Sequence, residues 1–232
     1  MNGPPTRPNH ALLLPYLLPY LLYTGIASIP GTWLGPELNY ALRIVASGAA
    51  LAWGWGRYVS LRGPCAPAGS ILLGIGAGLL GTALWVALLR PFVGGEAESW
   101  SAGAFWLRLA AAGALVPIFE ELLMRGYVLR LVLQWEHARR AQAHDAFTEA
   151  FERRSIAEVA AGVWSPHAVL ISSVVFALGH SHTEWLAALA YGLLMAGLWI
   201  LRKDLLSCVA AHATTNISLA IYVRATGHWA LW

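Results

Sequence analysis

Val116-Pro117-Ile118-Phe119-Glu120-Glu121-Leu122-Leu123-Met124-Arg125-Gly126 sets two adjacent carboxylates inside an apolar run. Read outward, that run extends over roughly 102–134, longer than the ~20 apolar residues one bilayer crossing needs. A carboxylate at membrane depth is expensive. It is tolerated where it faces a protein interior or a water-filled cavity, and it marks a functional site by default. Two such carboxylates with an arginine four residues on require a chemical account.

The composition agrees with a membrane setting. Of 232 residues, 58% are hydrophobic and 12% charged, with a mean hydropathy of +0.57; an ordinary soluble domain carries about 25% charged residues. The net charge of +3 is too small to indicate nucleic-acid binding. Cys65 and Cys208 are far apart in sequence and form no disulfide framework or cysteine metal motif.

Apolar stretches at roughly 11–30, 38–56, 70–90, 102–134, 164–181, 184–201 and 205–223 are candidate spans. Prolines 15, 19 and 30 are expected to kink or break the first, and Pro117 to bend the fourth. The fourth reads either as one long tilted helix or as a crossing plus a second, partly embedded helix. The expectation is an all-α, single-domain polytopic membrane protein (1–232) with seven or eight transmembrane helices enclosing a polar cavity. Gly74 and Gly78 form a small-xxx-small pair, read as ordinary close helix packing.

Arg57 and Arg62 follow the second stretch, Arg130, Arg139, Arg140, Arg153 and Arg154 the fourth, and Arg202 and Lys203 the sixth. The opposite loops carry Glu37, Glu96 and Glu98 and few basic residues. With seven crossings the positive-inside rule puts the N-terminus in the cytoplasm and the C-terminus outside. Trp33, Trp100, Trp164, Trp185 and Trp229 lie near segment ends, as interfacial tryptophans do. The hydrophilic insert from Glu136 to Glu158 reads as a solvated amphipathic segment.

Three groups of residues carry chemistry. On a helix, Glu121 and Arg125 are neighbours four apart and can pair, while Glu120, rotated by about 100°, stays free to act as a base. A structural ion pair is the competing reading. Phe176-Ala177-Leu178-Gly179-His180 ends an apolar helix; His180 is a functional or a capping residue. His212-Ala213-Thr214-Thr215-Asn216 puts His212 and Asn216 on one helix face. They are either an interhelical hydrogen-bonding pair or a water-binding imidazole with an amide that donates to an oxyanion. No HExxH zinc motif and no GxSxG serine elbow is present.

In this order, Glu120-Glu121-x-x-x-Arg125, Phe176-x-x-x-His180 and His212-x-x-x-Asn216 resemble the CAAX-protease and bacteriocin-processing family of intramembrane endopeptidases, over roughly 105–223. The resemblance implies that Glu120 activates water, that Glu121 and Arg125 support it, that His180 and His212 position the water, and that Asn216 is the oxyanion donor. It leaves the cofactor open between none and zinc, the latter held by Glu120, His180 and His212. The region Ala220 to Trp229, with Glu184-Trp185-Leu186-Ala187, is similar to a bacterial branch associated with exosortase systems. That implies an inner-membrane location, lipid surroundings and a protein substrate with a C-terminal membrane tail. A proton-relay transporter and a tail-binding scaffold are the alternatives. In a strict hairpin arrangement His180 would lie at the outer end of its helix, away from Glu120, so the site needs tilted or broken helices.

Overall fold

A computed structural model describes residues 7–94 and 98–232. Glu96 and the first residues of the proline-rich N-terminal segment lie outside the described residues. The described chain is all-helical, with α1 at Asn9–Ala27, α2 at Pro36–Gly54, α3 at Pro67–Leu89, α4 at Ala102–Arg140, α5 at Pro166–Leu178, α6 at Trp185–Arg202 and α7 at Leu205–Thr226. By length and composition, five helical stretches among the described residues can cross a membrane: α1, α3, α4, α6 and α7 with short extensions. Helix α5, with 13 residues, is shorter than a full crossing.

The prolines of α1 do not break it. Pro15 and Pro19 both lie inside the continuous helix. Pro19 has no N–H for the carbonyl of Pro15, and Tyr58 supplies the missing donor, its hydroxyl 2.8 Å from that oxygen. A proline is tolerated in an apolar bundle when a neighbouring side chain satisfies the carbonyl it orphans.

The same device recurs in α4, which is one helix rather than two. It runs unbroken over 39 residues but widens into π-helical turns at Ala111–Leu115 and Leu122–Val128. In the first of these turns the Val116 N–H bonds back to Ala111 instead of Ala112. The next residue, Pro117, has no N–H to offer. The Ala112 carbonyl is therefore free, and Asn216 of α7 donates to it at 2.7 Å. Just before Pro117, where a bend is expected, the helix widens into a π-helical turn, itself one of the recognised sites of helix kinking.

Helices α3 and α7 make the most extensive contact of the bundle. The glycines of α3 make it possible: a Cβ at Gly74 would stand 2.6 Å from the Ser207 carbonyl oxygen, and one at Gly78 would stand 2.5 Å from that of Ala211. Thr215 closes the interface by donating to the Gly78 carbonyl at 2.9 Å. This packing fixes α7, and with it His212 and Asn216.

The hydrophilic insert is only partly solvated. Asp145, Arg153 and Glu149 are near the surface, but Ser155 and Ile156 are buried against α4 and the start of α1. Asn9 holds them there. Its amide donates to Gln134 Oε1 at 2.6 Å and to the Ala150 carbonyl at 2.7 Å, and its Oδ1 accepts from the Ile156 N–H at 2.6 Å. Buried backbone must find partners, and a single asparagine at the head of α1 provides three bonds.

Candidate active site

Glu120 and Glu121 are adjacent in α4 but meet different surroundings. The side chain of Glu121 is 0% exposed, and that of Glu120 is 12% exposed. Glu121 faces the packed interior between α4, α6 and α7. Arg125 Nη1 lies 3.1 Å from its Oε2, and Arg125 Nη2 donates to the Gly192 carbonyl of α6 at 2.7 Å. Gly192 has no side chain to intervene there; a Cβ would press on Ser173 of α5 at 3.0 Å. The guanidinium also stands over the Phe176 ring, 5.6 Å from its centroid. An ion pair this deep is costly to desolvate, and breaking it by removing one partner costs about 3–5 kcal/mol.

His212 bridges the two carboxylates. Its Nδ1 is 3.0 Å from Glu121 Oε1, and its Nε2 is 3.8 Å from Glu120 Oε2. Glu121 thereby orients the imidazole, with Nδ1–H donated to the buried carboxylate and Nε2 turned toward Glu120. His180 lies just past the end of α5, with Nδ1 3.0 Å from the Phe176 carbonyl oxygen. Its ring packs between Phe176 and Trp85, at centroid distances of 4.7 and 5.5 Å. Gly179 allows this turn to approach α1, since a Cβ there would meet the Tyr20 hydroxyl at 2.5 Å.

Glu120, His180, His212 and Asn216 line one cavity of about 210 Å³. The feared separation of His180 from Glu120 does not occur, because α5 is short and ends at the level of the cavity. Glu121 and Arg125 are not on its wall; they stand behind His212. Asn216 spends one amide N–H on the Ala112 carbonyl and keeps the other, which fixes the plane of the amide at the cavity wall.

Residues that the motif reading did not select complete the wall. Tyr191 donates to Thr215 Oγ1 at 3.2 Å and stacks edge-on to His212, centroids 5.5 Å apart. Tyr23, Arg43, Arg108 and Trp232 line the cavity too. The arginines carried a signal, since each is a cation within an apolar stretch and so has the same burial cost that singles out Glu120. The aromatic residues carried none.

The donor set bears on the zinc alternative. Both imidazoles tie Nδ1 to an oxygen, the outer-shell pattern of a metal-bound histidine, and leave Nε2 for a ligand. Yet among the described residues no three His, Cys, Asp or Glu side chains come together as a metal would need. Glu120, His180 and His212 as placed do not form a ligand set.

No curated protein and no solved structure matches the chain. The family model of the Rce1-like type II CAAX prenyl endopeptidases matches residues 102–218, half of the chain, from the start of α4 to just past Asn216. With its long apolar helices and this match across every motif residue, the chain is a multi-pass membrane protein and belongs to the Rce1-like type II CAAX prenyl endopeptidase family.

Proposed function

We propose that the protein is an intramembrane endopeptidase of the glutamate type, which hydrolyses a peptide bond near the C-terminal membrane tail or lipidated end of its substrates. The observation that carries the reading is the division of labour between adjacent glutamates. Glu121 is sealed and committed to Arg125 and His212, whereas Glu120 meets the cavity with no arginine of its own.

The chemistry follows from that division. Glu120 takes a proton from a water molecule as the water oxygen attacks the carbonyl carbon of the scissile bond. His212, oriented by Glu121, and His180 hold the water through their Nε2 atoms. The spare N–H of Asn216 donates to the oxyanion that forms. Glu120 then returns the proton to the departing amine, so the residue serves as base and acid in turn. No step is routed through a metal.

The remaining features support a wider setting. Seven helices cross the bilayer in this reading, with α2 and the short α5 completing the five apolar spans. The arginine-rich loops then face the cytoplasm, and the cavity, near the end of α5 and the start of α2, opens toward the outer side of a bacterial inner membrane. A substrate anchored by a C-terminal membrane tail, as in exosortase-associated systems, meets the cavity where its tail emerges from the bilayer. The family match favours a peptidase over a proton relay or a tail-binding scaffold.

The test is cleavage of a membrane-tailed reporter by the purified protein in proteoliposomes. Glu120→Gln keeps the shape and removes the base, and should lower turnover by roughly 10²–10⁴-fold while the protein still folds. Wild-type activity should survive a chelator. Undiminished turnover in Glu120→Gln refutes the mechanism; chelator inhibition reversed by zinc replaces it with a metal-dependent one.

A further inference from the structure

Two arginines on the cavity wall have no role in the steps above. Arg43 of α2 and Arg108 of α4 are half-buried, and both line the space into which Glu120, His180, His212 and Asn216 face. Neither has a carboxylate partner among the described residues. They are held by aromatic faces instead. The Arg108 guanidinium lies against both Trp100 and Trp232, 4.4 Å from each ring centroid, and the two rings lie 6.3 Å from each other. That of Arg43 lies 4.4 Å from Tyr40 and 5.2 Å from Tyr23. Tyr40 and Trp100 touch, centroids 5.7 Å apart, so the two cations share one aromatic box. Arg43 donates from Nε to Asn39 Oδ1, at 2.6 Å.

This way of holding a guanidinium has a chemical consequence. A ring contact does not use up the N–H donors of a guanidinium. Among the described residues no carboxylate takes up the terminal nitrogens of Arg43 or Arg108, and paired N–H groups match the two oxygens of a carboxylate. Besides Glu120, a second acid lies on the same wall, Glu184, and it is engaged at its own turn, accepting from the Ser181 N–H at 2.9 Å and from the Ser181 hydroxyl at 2.7 Å. At about 210 Å³ the cavity lies below the usual range of small-molecule sites, about 300–1,000 Å³. It suits a short piece of extended chain better than a tail helix about 10 Å across.

We infer that Arg43 and Arg108 form a carboxylate-binding subsite that anchors a peptide substrate, through its C-terminal carboxylate or an acidic side chain beside the scissile bond, with that bond presented to Glu120. The peptide nature of the ligand rests on the peptidase reading; the carboxylate preference is measurable by binding alone.

The experiment uses the whole protein in phosphatidylcholine nanodiscs. The probes are an N-acetylated apolar tetrapeptide with a free C-terminal carboxylate, the same peptide amidated, and amidated versions with an internal aspartate or asparagine. Quenching of tryptophan emission reads occupancy, since Trp100 and Trp232 flank the site. At least one acidic probe should bind about 10–100-fold more tightly than its neutral twin. Preference for the free terminus assigns the chain end, and preference for the internal aspartate assigns a side chain. Arg108→Gln and Arg43→Gln should each erode that preference, Arg108→Lys should keep part of it, and Arg140→Gln, at the far end of α4, should leave it intact. Equal affinity of acidic and neutral probes for the wild type overturns the inference and requires no variant to fold. So does a preference that survives both glutamine substitutions. So does loss of all acid preference when phosphatidylglycerol replaces part of the lipid, which would assign the arginines to lipid phosphate. Acid preference retained in a protein that cleaves nothing would overturn the peptidase reading and leave this subsite standing.

Discussion

Helix α4 bears two buried polar networks, one at its C-terminal end and one midway along it, and they differ in one respect. At its C-terminal end, Gln134 and Arg130 join Asn9, Ser155, Ile156 and Val159 in a set of bonds made among themselves, with Arg130 Nε alone left without a partner: Gln134 donates to the Ser155 carbonyl at 2.6 Å, and Arg130 to the Ile156 and Val159 carbonyls at 3.1 and 2.8 Å. Midway along the helix, Glu121, Arg125 and His212 form a similarly tight set, but it stops at Glu120 and Asn216, whose remaining donors and acceptors face a cavity. A closed network specifies structure. An open one keeps reactive groups at the disposal of a substrate, at a standing cost in stability. The two can be told apart by substitution, because the first should affect folding alone and the second should affect turnover.

The largest effect is expected where the open network is rooted. Arg125→Ala strands Glu121 without its cation in a fully buried site and should destabilise the protein by about 3–5 kcal/mol. It should also let His212 drift, so activity falls further than stability explains. Thermal unfolding in detergent together with turnover in proteoliposomes checks both. A stable, well-expressed and inactive Arg125→Ala protein would show that Arg125 acts in chemistry and not as a root.

Asn216→Ala comes next. It removes the donor to the Ala112 carbonyl and the spare N–H at the cavity wall. The first loss should cost roughly 1–3 kcal/mol of stability. The second should lower turnover about 10²–10³-fold with little change in substrate binding. If kcat is preserved and only stability falls, Asn216 belongs with the closed networks, as a patch for the carbonyl that Pro117 leaves free.

Asn9→Ala is the matching experiment in the other network. It leaves the Ile156 N–H and the Gln134 and Ala150 oxygens short of a partner, and should destabilise the insert by about 2–4 kcal/mol. Turnover per folded molecule should not change. A fall in kcat would mean that the insert couples to the cavity, and the comparison drawn above would fail.

The sequence reveals these networks unevenly. Glu120, Glu121 and Arg125 are legible because charge in an apolar run has few innocent explanations, and His180, His212 and Asn216 because, in order after them, they complete the motifs by which the chain resembles its family. The glycines of α3 announce close packing, and the packing is there. What could not be read is anything that depends on a distant partner. Asn9 looks like the end of a polar tail; nothing near it in sequence tells of Gln134 or Ile156. Prolines 15 and 19 predict a kinked or broken α1, because the hydroxyl of Tyr58 that satisfies the carbonyl freed by Pro19 lies on another segment. Pro117 predicts a bend, but whether the strain appears as a kink or as a widened turn depends on where Asn216 stands. Arg43 and Arg108 were legible in principle as buried cations.

The smallest expected effect marks the limit of the closed network. Asp145 starts the helical part of the insert, accepting from the Phe147 and Thr148 N–H groups at 3.1 and 3.0 Å and from the Thr148 hydroxyl at 2.6 Å. The Thr148 hydroxyl, then its backbone N–H, stabilise the charged form and hold the Asp145 carboxyl below its ordinary value of 3.8. A depressed carboxylate contributes its stabilisation in full above the ordinary value and loses it as pH falls through the lower, folded one. The cap therefore acts fully at neutral pH and fails only in acid. Asp145 is fully exposed, so solvent screens it and the effect stays local. Asp145→Ala at neutral pH should speed hydrogen exchange at residues 147–153 and leave Ile156, the Asn9 bonds and turnover untouched. The same local loosening should appear in the wild type on acidification and be absent from the variant. If exchange at Ile156 also rises, the closed network extends to the surface of the insert, and its boundary lies at Asp145 rather than at Ala150.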